Sequence, residues 1–384
     1  MYKNLKAQAW AFSRSSFSFS WGLCLALSLT VHPPAIAEQP PLKVGFVYVA
    51  PLTPTGWVAQ HDAGRRAMEE AINTPKATRR VQTRYVENVA EGADAERVIR
   101  DLAREGFDLI ITPSFGYMEP TLKVAAEFPG THFESITGYK RAPNVATANA
   151  RYYEGRYLAG VAAGRMSKTR VAGYVAGFPI PEVLQGINAF TLGMRSVQPH
   201  AEVRVIWLDA WFDPAREREA AMALMNQQAD VLSFHTGSNA VMTAAQERGR
   251  WAVAYHSDMR NVAPQAQLLA ITHHWGNYYT RRVRELMQGS WSSADVWAGV
   301  REGMVKVDGF GEGVPATVRR EVMARRDDIA AARLNPFKGP LIDNEGRERL
   351  PAGKVLSDPQ ILAMDFLVAG VTTRLPRPKP VQTP

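Results

Sequence analysis

The sequence from residue 43 onward alternates short apolar runs with amphipathic stretches of helical period. Residues 44–50, 108–112 and 171–176 are rich in β-branched and aromatic residues and too short for a buried helix, which is typical of strands buried on both faces. The stretch at 94–103 places its apolar residues on one face and predicts a helix. Such alternation builds βαβ units, whose right-handed crossovers produce parallel sheets. We therefore predict an α/β fold.

The alternation occurs twice along the chain, which indicates two lobes. It pauses at residues 144–149, where we expect the chain to cross between lobes, and it then restarts. A chain of 384 residues is also too long for one hydrophobic core. We assign residues 38–146 and about 259–290 to an N-terminal lobe, 147–258 and about 291–345 to a C-terminal lobe, and 346–384 to a C-terminal tail.

Residues 1–37 have the pattern of a secretory signal peptide. Three basic residues precede an apolar run at 17–31, and an Ala-x-Ala cleavage sequence ends at Ala37. An uncleaved anchor is the alternative, although the apolar run is short for a spanning helix. Cys24 follows a leucine, which is a poor match to a lipid-attachment box. We expect an exported, periplasmic protein without a lipid anchor.

Charge and composition argue against several classes of function. Cleavage after Ala37 removes three basic and no acidic residues, which takes the formal net charge from +8 to +5. The remaining charges alternate in sign along helices, as in residues 216–219, so a nucleic-acid partner is not expected. The single cysteine would also be removed, which excludes disulfide and thiol chemistry in the mature chain.

Sequence motifs typical of enzymes and cofactor sites are missing. The chain has no G-x-S-x-G nucleophile elbow, no P-loop lysine motif and no G-x-G-x-x-G after its first strand. His256, His273 and His274 would be candidate zinc ligands, but their spacing matches no metal motif. We expect no cofactor, no metal and no enzymatic activity, although a triad assembled in space stays an open alternative.

Unusual side chains follow the predicted strands, where parallel sheets place their ligands. Trp57 lies just after the first strand, and candidates after later strands are Phe115, Tyr117, Phe178, His235, Asp258 and Trp275. Aromatic rings from two lobes could stack on a flat molecule. Asp258 or Glu134 would accept its hydrogen bonds. The other polar candidates are Gln60, His61, Thr236 and Asn239.

Each candidate also has a purely structural interpretation. Trp57 could fill the base of its own helix, and Phe115 and Phe178 could pack at the hinge or in the core. His61 and Asp62 could cap the helix that follows the first strand. The residues alone leave these alternatives open.

Long segments of the chain carry a family resemblance: YVAPLTPTGWVAQHDAGR, TPSFGYMEPTLKVAAEFP, NARYYEGRYLAGVAAGRM, GFPIPEVLQGINAFTLGMRSVQP and AYHSDM. In these segments the sequence resembles the basic membrane protein (BMP, PnrA-like) family of ABC transporter substrate-binding proteins, from residue 42 to about 368. The resemblance implies a type I periplasmic binding protein, with two doubly wound parallel-sheet lobes joined by a hinge. It also implies a monomer that delivers a small molecule to an ABC transporter permease.

The resemblance implies a ligand and its contacts as well. Family members typically bind purine nucleosides, and the pattern at residues 56–65 is similar to a branch associated with free purine bases such as adenine. Trp57 and Phe178 would then be the stacking pair. The other implied contacts are Phe115 and Gly116 in the first lobe, Gly237 and Asp258 in the second, and His274 or Trp275 in place of a ribose-binding lysine. The lack of that lysine favours a base over a nucleoside.

Two segments depart from the pattern of this branch. Residues 234–239 read FHTGSN where relatives tend to have QHTDSP, so Gly237 lacks an acidic acceptor. Residues 273–276 read HHWG where relatives tend to have WNWG. These departures leave the ligand open. The alternative functions are a binding protein that signals to a membrane receptor or kinase, and an exported nucleoside hydrolase. The export signal and the lack of a helix-turn-helix segment argue against a repressor.

Overall fold

The chain folds into alternating strands and helices, as the sequence predicts. A computed structural model describes residues 39–376. The strands are β1 (Gln39–Val47), β2 (Arg79–Val86), β3 (Leu109–Pro113), β4 (His132–Ile136), β5 (Val145–Ala150), β6 (Val171–Ala176), β7 (Glu202–Trp207), β8 (Val231–His235), β9 (Trp251–His256), β10 (Gln267–His273), β11 (Asp295–Ala298), β12 (Val305–Asp308), β13 (Leu341–Ile342) and β14 (Glu348–Leu350). The helices are α1 (Trp57–Ile72), α2 (Ala93–Arg104), α3 (Met118–Glu127), α4 (Tyr152–Met166), α5 (Pro181–Arg195), α6 (Pro214–Asn226), α7 (Ala240–Glu247), α8 (Gly276–Met287), α9 (Ala316–Ala330) and α10 (Asp358–Leu362). The predicted signal peptide, with Cys24, lies outside the described residues.

Two six-stranded sheets share one strand order. The first reads β2-β1-β3-β4-β5-β11, with all neighbours parallel. The second reads β7-β6-β8-β9-β10-β12, in which β12 alone is antiparallel to its neighbour. In each sheet the second strand in chain order (β2 or β7) lies on one side of the first, and the later strands lie on the other side. The direction of winding therefore changes between β1 and β3 and between β6 and β8. The predicted fold class, with two doubly wound parallel-sheet lobes, is confirmed.

Small residues let two helices of the second lobe approach closely. α4 packs against α5. A methyl group at Gly160 would overlap the carbonyl oxygen of Phe190, and one at Gly193 would overlap that of Tyr157. Neither site has room for a side chain, so the close approach of α4 and α5 requires glycine at both positions.

The chain passes between the two sheets three times: from β5 to α4, from β10 to α8, and from β11 to β12. The sequence-based boundaries differ from the observed pairing. The prediction places residues 259–290 in the first lobe, but β10 pairs with β9 in the second sheet, and only α8 packs beside α1. Conversely, β11 lies in the predicted second lobe but pairs with β5 in the first sheet. Apolar periodicity marks a strand without specifying the sheet that it joins.

Two of these crossings are tied together by hydrogen bonds. The Arg151 N–H donates to the Ala298 carbonyl at 2.8 Å. On the first turn of α4, Glu154 accepts the N–H of Val300 at 2.7 Å. Burial raises the pKa of Glu154 to about 7; Glu302 acts in the same direction, whereas the Val300 N–H and Arg151 oppose the shift. These two crossings therefore enclose a carboxyl group whose pKa is near neutral.

The C-terminal tail packs on the second lobe. The Asn188 side chain on α5 donates to the Phe366 carbonyl at 2.7 Å and accepts the N–H of Val368 at 2.9 Å. Val371 then forms a parallel bridge to Val203 on β7. These backbone contacts make the tail part of the folded lobe.

Glu154→Gln is expected to remove a pH dependence of stability. Because the pKa of Glu154 is raised, the folded state binds more protons than the unfolded chain between about pH 4.5 and pH 7, and stability falls as the pH rises through that window. By about pH 7 the free energy of unfolding has fallen by about 3 kcal/mol. Glutamine keeps an acceptor for the Val300 N–H without the charge. The variant should therefore melt higher than wild type at pH 8 but not at pH 4.5; an equal difference at both pH values contradicts this.

Candidate functional site

A cleft opens where the carboxyl ends of the two sheets meet. It holds about 590 Å³ of empty space, counted out to its mouth. Its walls come from the segments after β1, β3 and β4 of the first sheet and at the ends of β6 to β9 of the second. The lining residues are Val49, Ala50, Pro51, Thr53, Trp57, Val58, Ser114, Phe115, Thr137, Ile180, Glu182, Trp211, Phe212, His235, Thr236, Gly237 and His256.

Trp57 supplies an aromatic wall from the first lobe. It is the first residue of α1 and is half-buried. Its indole N–H donates to the Pro113 carbonyl at 2.8 Å, which fixes the plane of the ring. His61, one helical turn later, packs edge-on against the ring with 4.2 Å between centroids. The ring is thus oriented by groups behind it while it lines the cleft.

A second aromatic wall comes from Trp211 and Phe212, just after β7. The Trp211 indole N–H donates to the Glu91 carboxylate at 3.2 Å, which links the second lobe to the loop before α2. Phe178 contacts Trp211 edge-on at 4.8 Å but does not line the cleft. Sequence reasoning missed Trp211, although it follows a strand in the same way as Trp57.

A carboxylate lines the cleft at the start of α5. Glu182 lies in the first turn, where the helix dipole favours negative charge. One of its oxygens accepts a hydrogen bond from Asn149 at 2.9 Å, and the other lies 3.4 Å from Nε2 of His235. Burial lowers the pKa of His235, so the imidazole is neutral near pH 7. Glu182 is a hydrogen-bond acceptor at the cleft, and it was absent from the sequence-based candidates.

Three hydroxyl groups at the cleft wall already donate to protein acceptors. Ser114 donates to Glu91 at 2.6 Å, Thr236 to Glu217 at 2.8 Å, and Thr53 to the Thr55 carbonyl at 2.8 Å. These side chains are fixed by the protein itself. Glu182, His235 and His256 are the ionisable side chains that line the cleft.

His256 ends β9 in an unusual backbone conformation, with φ of 71°. Histidine is one of the few residues other than glycine that adopts this region, and such strain concentrates at functional sites. Its Nδ1 lies 2.9 Å from Nε2 of His273, and Nδ1 of His273 accepts the indole N–H of Trp275 at 2.7 Å. Sequence reasoning considered His256 only as a zinc ligand.

The two lobes touch at the rim of the cleft. Gly56 has φ of 97°, and its N–H donates to the Ser257 hydroxyl at 3.0 Å. A methyl group at Gly56 would overlap the carbonyl oxygen of Gly237. The structure thus holds the lobes in a closed arrangement that depends on glycine at this point.

The structure brings five of the predicted site residues to the cleft wall: Trp57, Phe115, His235, Thr236 and Gly237. Other first-lobe candidates lie behind it. Gln60 donates to the His273 carbonyl at 3.4 Å, and His61 is fully buried with Nδ1 2.6 Å from the Tyr279 hydroxyl. The Gly116 N–H donates to Glu91, and the Tyr117 hydroxyl donates to the Val89 carbonyl at 2.6 Å.

Three candidates from the later part of the chain also lie away from the cleft wall. Asp258 pairs with Arg260 at 2.6 Å on the surface. His274 is exposed. Trp275 is fully buried and donates to His273. Glu134, the other predicted acceptor, is buried against Arg282 at 2.6 Å. His256 ends β9 with φ of 71°, so the chain turns there, and Asp258 does not continue the face of the strand.

Residues 39–376 hold no group of three or more histidine, cysteine or acidic side chains placed to bind a metal ion. In the same part of the chain, no helix combines the length and apolar character needed to cross a membrane.

A family model and two known proteins match most of this chain. Residues 42–337 match the model of the PnrA-like ABC transporter substrate-binding proteins. A purine-binding protein of Brucella abortus is 46% identical over 88% of this chain and 94% of its own length. A putative ABC transporter glucose-binding protein of Haloferax volcanii is 35% identical over 82% of this chain and 78% of its own.

Solved structures show the same fold at lower identity. An ABC transporter solute-binding protein of Aeropyrum pernix matches with a TM-score of 0.64 at 18% identity, over 77% of this chain and 93% of its own. One from Conexibacter woesei matches with a TM-score of 0.60 at 20% identity, over 77% of this chain and 98% of its own. At these identities the likeness concerns the fold alone.

Gly56→Ala is expected to disfavour the closed arrangement. The added methyl group would meet the Gly237 carbonyl across the cleft, whereas Gly92→Ala adds the same strain at φ of 89° with open space around it. Both variants lose stability from the strained backbone, by about 1 kcal/mol or more. Only Gly56→Ala should enlarge the radius of gyration in small-angle X-ray scattering. Equal scattering from the two variants would contradict the role of this contact.

Proposed function

The chain belongs to the PnrA-like family of ABC transporter substrate-binding proteins, and on that premise we propose that it binds a purine base in the cleft between its lobes. Proteins of this family bind small molecules outside the cytoplasm and partner with a transporter permease; they are solute-binding proteins and not enzymes. The similarity to a purine-binding protein supports the choice of ligand.

The observation that carries the proposal is the composition of the cleft wall. Trp57, Phe115 and Trp211 offer flat apolar surfaces, and three of the lining hydroxyls are already engaged within the protein. A purine presents two flat faces and a short edge of hydrogen-bonding atoms, and each stacked base contributes roughly 1–3 kcal/mol. A hexose would bring many hydroxyl groups, and each one buried without a partner costs about 1–3 kcal/mol.

Charge narrows the ligand class further. The lining residues include no lysine or arginine, so the cleft lacks the groups that recognise the phosphates of nucleotides. It offers instead the Glu182 carboxylate, which can accept an N–H of a neutral base. Asn149 donates to one oxygen of this carboxylate, and the other oxygen lies 3.4 Å from Nε2 of His235. A carboxylate oxygen has more than one lone pair, so this group can still accept an N–H from a ligand.

Binding would act through the equilibrium between open and closed forms. Contacts such as Gly56 with Ser257 and Trp211 with Glu91 form only when the lobes are together. A ligand that touches both walls binds the closed form better and shifts the population toward it. No bond of the ligand is made or broken. The closed form would then be the one that docks on a permease and releases its ligand there.

Adenine, hypoxanthine or guanine is expected to stabilise refolded, ligand-free protein. A ligand at a hundred times its Kd adds roughly 2.7 kcal/mol to the free energy of unfolding, which raises Tm by a few degrees. Adenosine, inosine, glucose and leucine complete the thermal-shift panel. A response to a free base alone supports the proposal. A response to glucose alone, or no response to any purine, would overturn the proposal that the ligand is a purine base. Turnover of a nucleoside would overturn the proposal that the protein is not an enzyme.

Trp57→Ala and Glu182→Gln are each expected to weaken base binding about 10- to 100-fold, because stacking and a charge-assisted hydrogen bond are each worth roughly 1–3 kcal/mol. Isothermal titration calorimetry measures the Kd, and circular dichroism checks the fold. Trp291→Ala, which removes a half-buried indole that donates to Glu134 outside the cleft, is the matched control. Asp258→Ala distinguishes the cleft described above from the sequence-based site, which includes Asp258. Unchanged affinity supports the cleft, and a loss comparable to that of Trp57→Ala contradicts it.

A further inference from the structure

Three aromatic side chains form a hydrogen-bonded row that ends at the cleft. The row begins at Trp275, which is fully buried, and continues through His273, which is 1% exposed. It ends at His256, which is 3% exposed and lines the cleft. The nitrogen atoms are 2.7 Å apart between Trp275 and His273, and 2.9 Å apart between His273 and His256. Both links are good hydrogen bonds by distance.

The chemistry of the first residue determines the proton positions along the whole row. An indole N–H can only donate, so Nδ1 of His273 must be an acceptor. A neutral His273 then carries its proton on Nε2 and donates it to Nδ1 of His256. His256 in turn keeps its own proton on Nε2, the ring nitrogen that does not take part in the row.

Both histidines are neutral under physiological conditions. Burial lowers the pKa of His256 and of His273 well below the usual value. The buried Arg156 and the neighbouring histidines act in the same direction on both groups. An imidazolium form of either ring, which would break the proton order of the row, is therefore excluded near pH 7.

The backbone holds His256 in place independently of the row. Its φ of 71° directs the chain out of β9 and into the loop that begins with Ser257. The Trp57 ring lies edge-on to it, with 5.4 Å between centroids and an interplanar angle of 73°. Because Nδ1 takes part in the row and the residue lines the cleft, Nε2 is the ring nitrogen left to meet a ligand.

We infer that His256 is a specificity-determining residue, held by Trp275 and His273 as an obligatory hydrogen-bond donor that selects ligands with an acceptor atom at this point. The inference rests on the proposed function, since it concerns how the same cleft tells one base from another. A ring nitrogen or exocyclic oxygen satisfies the Nε2–H. A ligand that offers an N–H at this point leaves two donors facing each other, which a buried site rejects strongly.

Nitrogen NMR on the whole protein, labelled with ¹⁵N-histidine and free of ligand, tests the fixed donor. We expect His256 and His273 to appear as neutral Nε2–H tautomers from pH 6 to pH 8. Trp275→Phe removes the first donor, and His256 should then become a mixture of both tautomers, whereas Trp291→Phe leaves the signals unchanged. An Nδ1–H or imidazolium signal for His256 in wild type would overturn the inference.

Binding of adenine and of 1-, 3- and 7-deazaadenine tests the selection. In each analogue one acceptor nitrogen is replaced by C–H. We expect one analogue to bind wild type about tenfold more weakly than adenine, and that penalty to shrink to less than about twofold in His256→Phe. A penalty of the same size in both proteins would overturn the inference. If no purine binds at all, the proposed function fails, and the tautomer spectrum still supports or overturns the fixed donor.

Discussion

Parallel strand pairing is the constraint on which the rest of this structure depends. Parallel neighbours require crossover connections, so helices cover the sheets and every loop after a strand collects at one edge. Both sheets have the same order, and their points of reversal face one cleft. Trp57 and Phe115 reach it from β1 and β3, while Glu182 and His235 reach it from β6 and β8. The strand order therefore determines where the site lies, and the side chains after the strands determine its chemistry.

Most of the polar groups at the cleft wall already have partners within the protein. The hydroxyls of Ser114 and Thr236 donate to the carboxylates of Glu91 and Glu217. What remains for a ligand is a carboxylate at Glu182 and imidazole edges at His235 and His256. Because an unpaired buried group costs more than a satisfied one gains, a few free groups discriminate among flat ligands strongly.

A second layer of residues sets the properties of this wall and of the hinge. His273 and Trp275 stand behind His256 and determine which of its nitrogens carries the proton. At the crossings between lobes, Glu154 is buried against the backbone of Val300, where charge is costly. In both places a buried polar group is held by partners that lie outside the cleft wall.

The sequence by itself determined the α/β class, the two lobes and which aromatic and polar residues follow the strands. It could do so because strands and helices have different periods of apolar residues. It therefore indicated Trp57, Phe115 and His235. It could not assign β10 and β11 to their sheets, and it favoured Asp258 over His256, two positions away. Strand pairing and side-chain direction at a strand end depend on partners distant in the chain, and only the tertiary structure decides them.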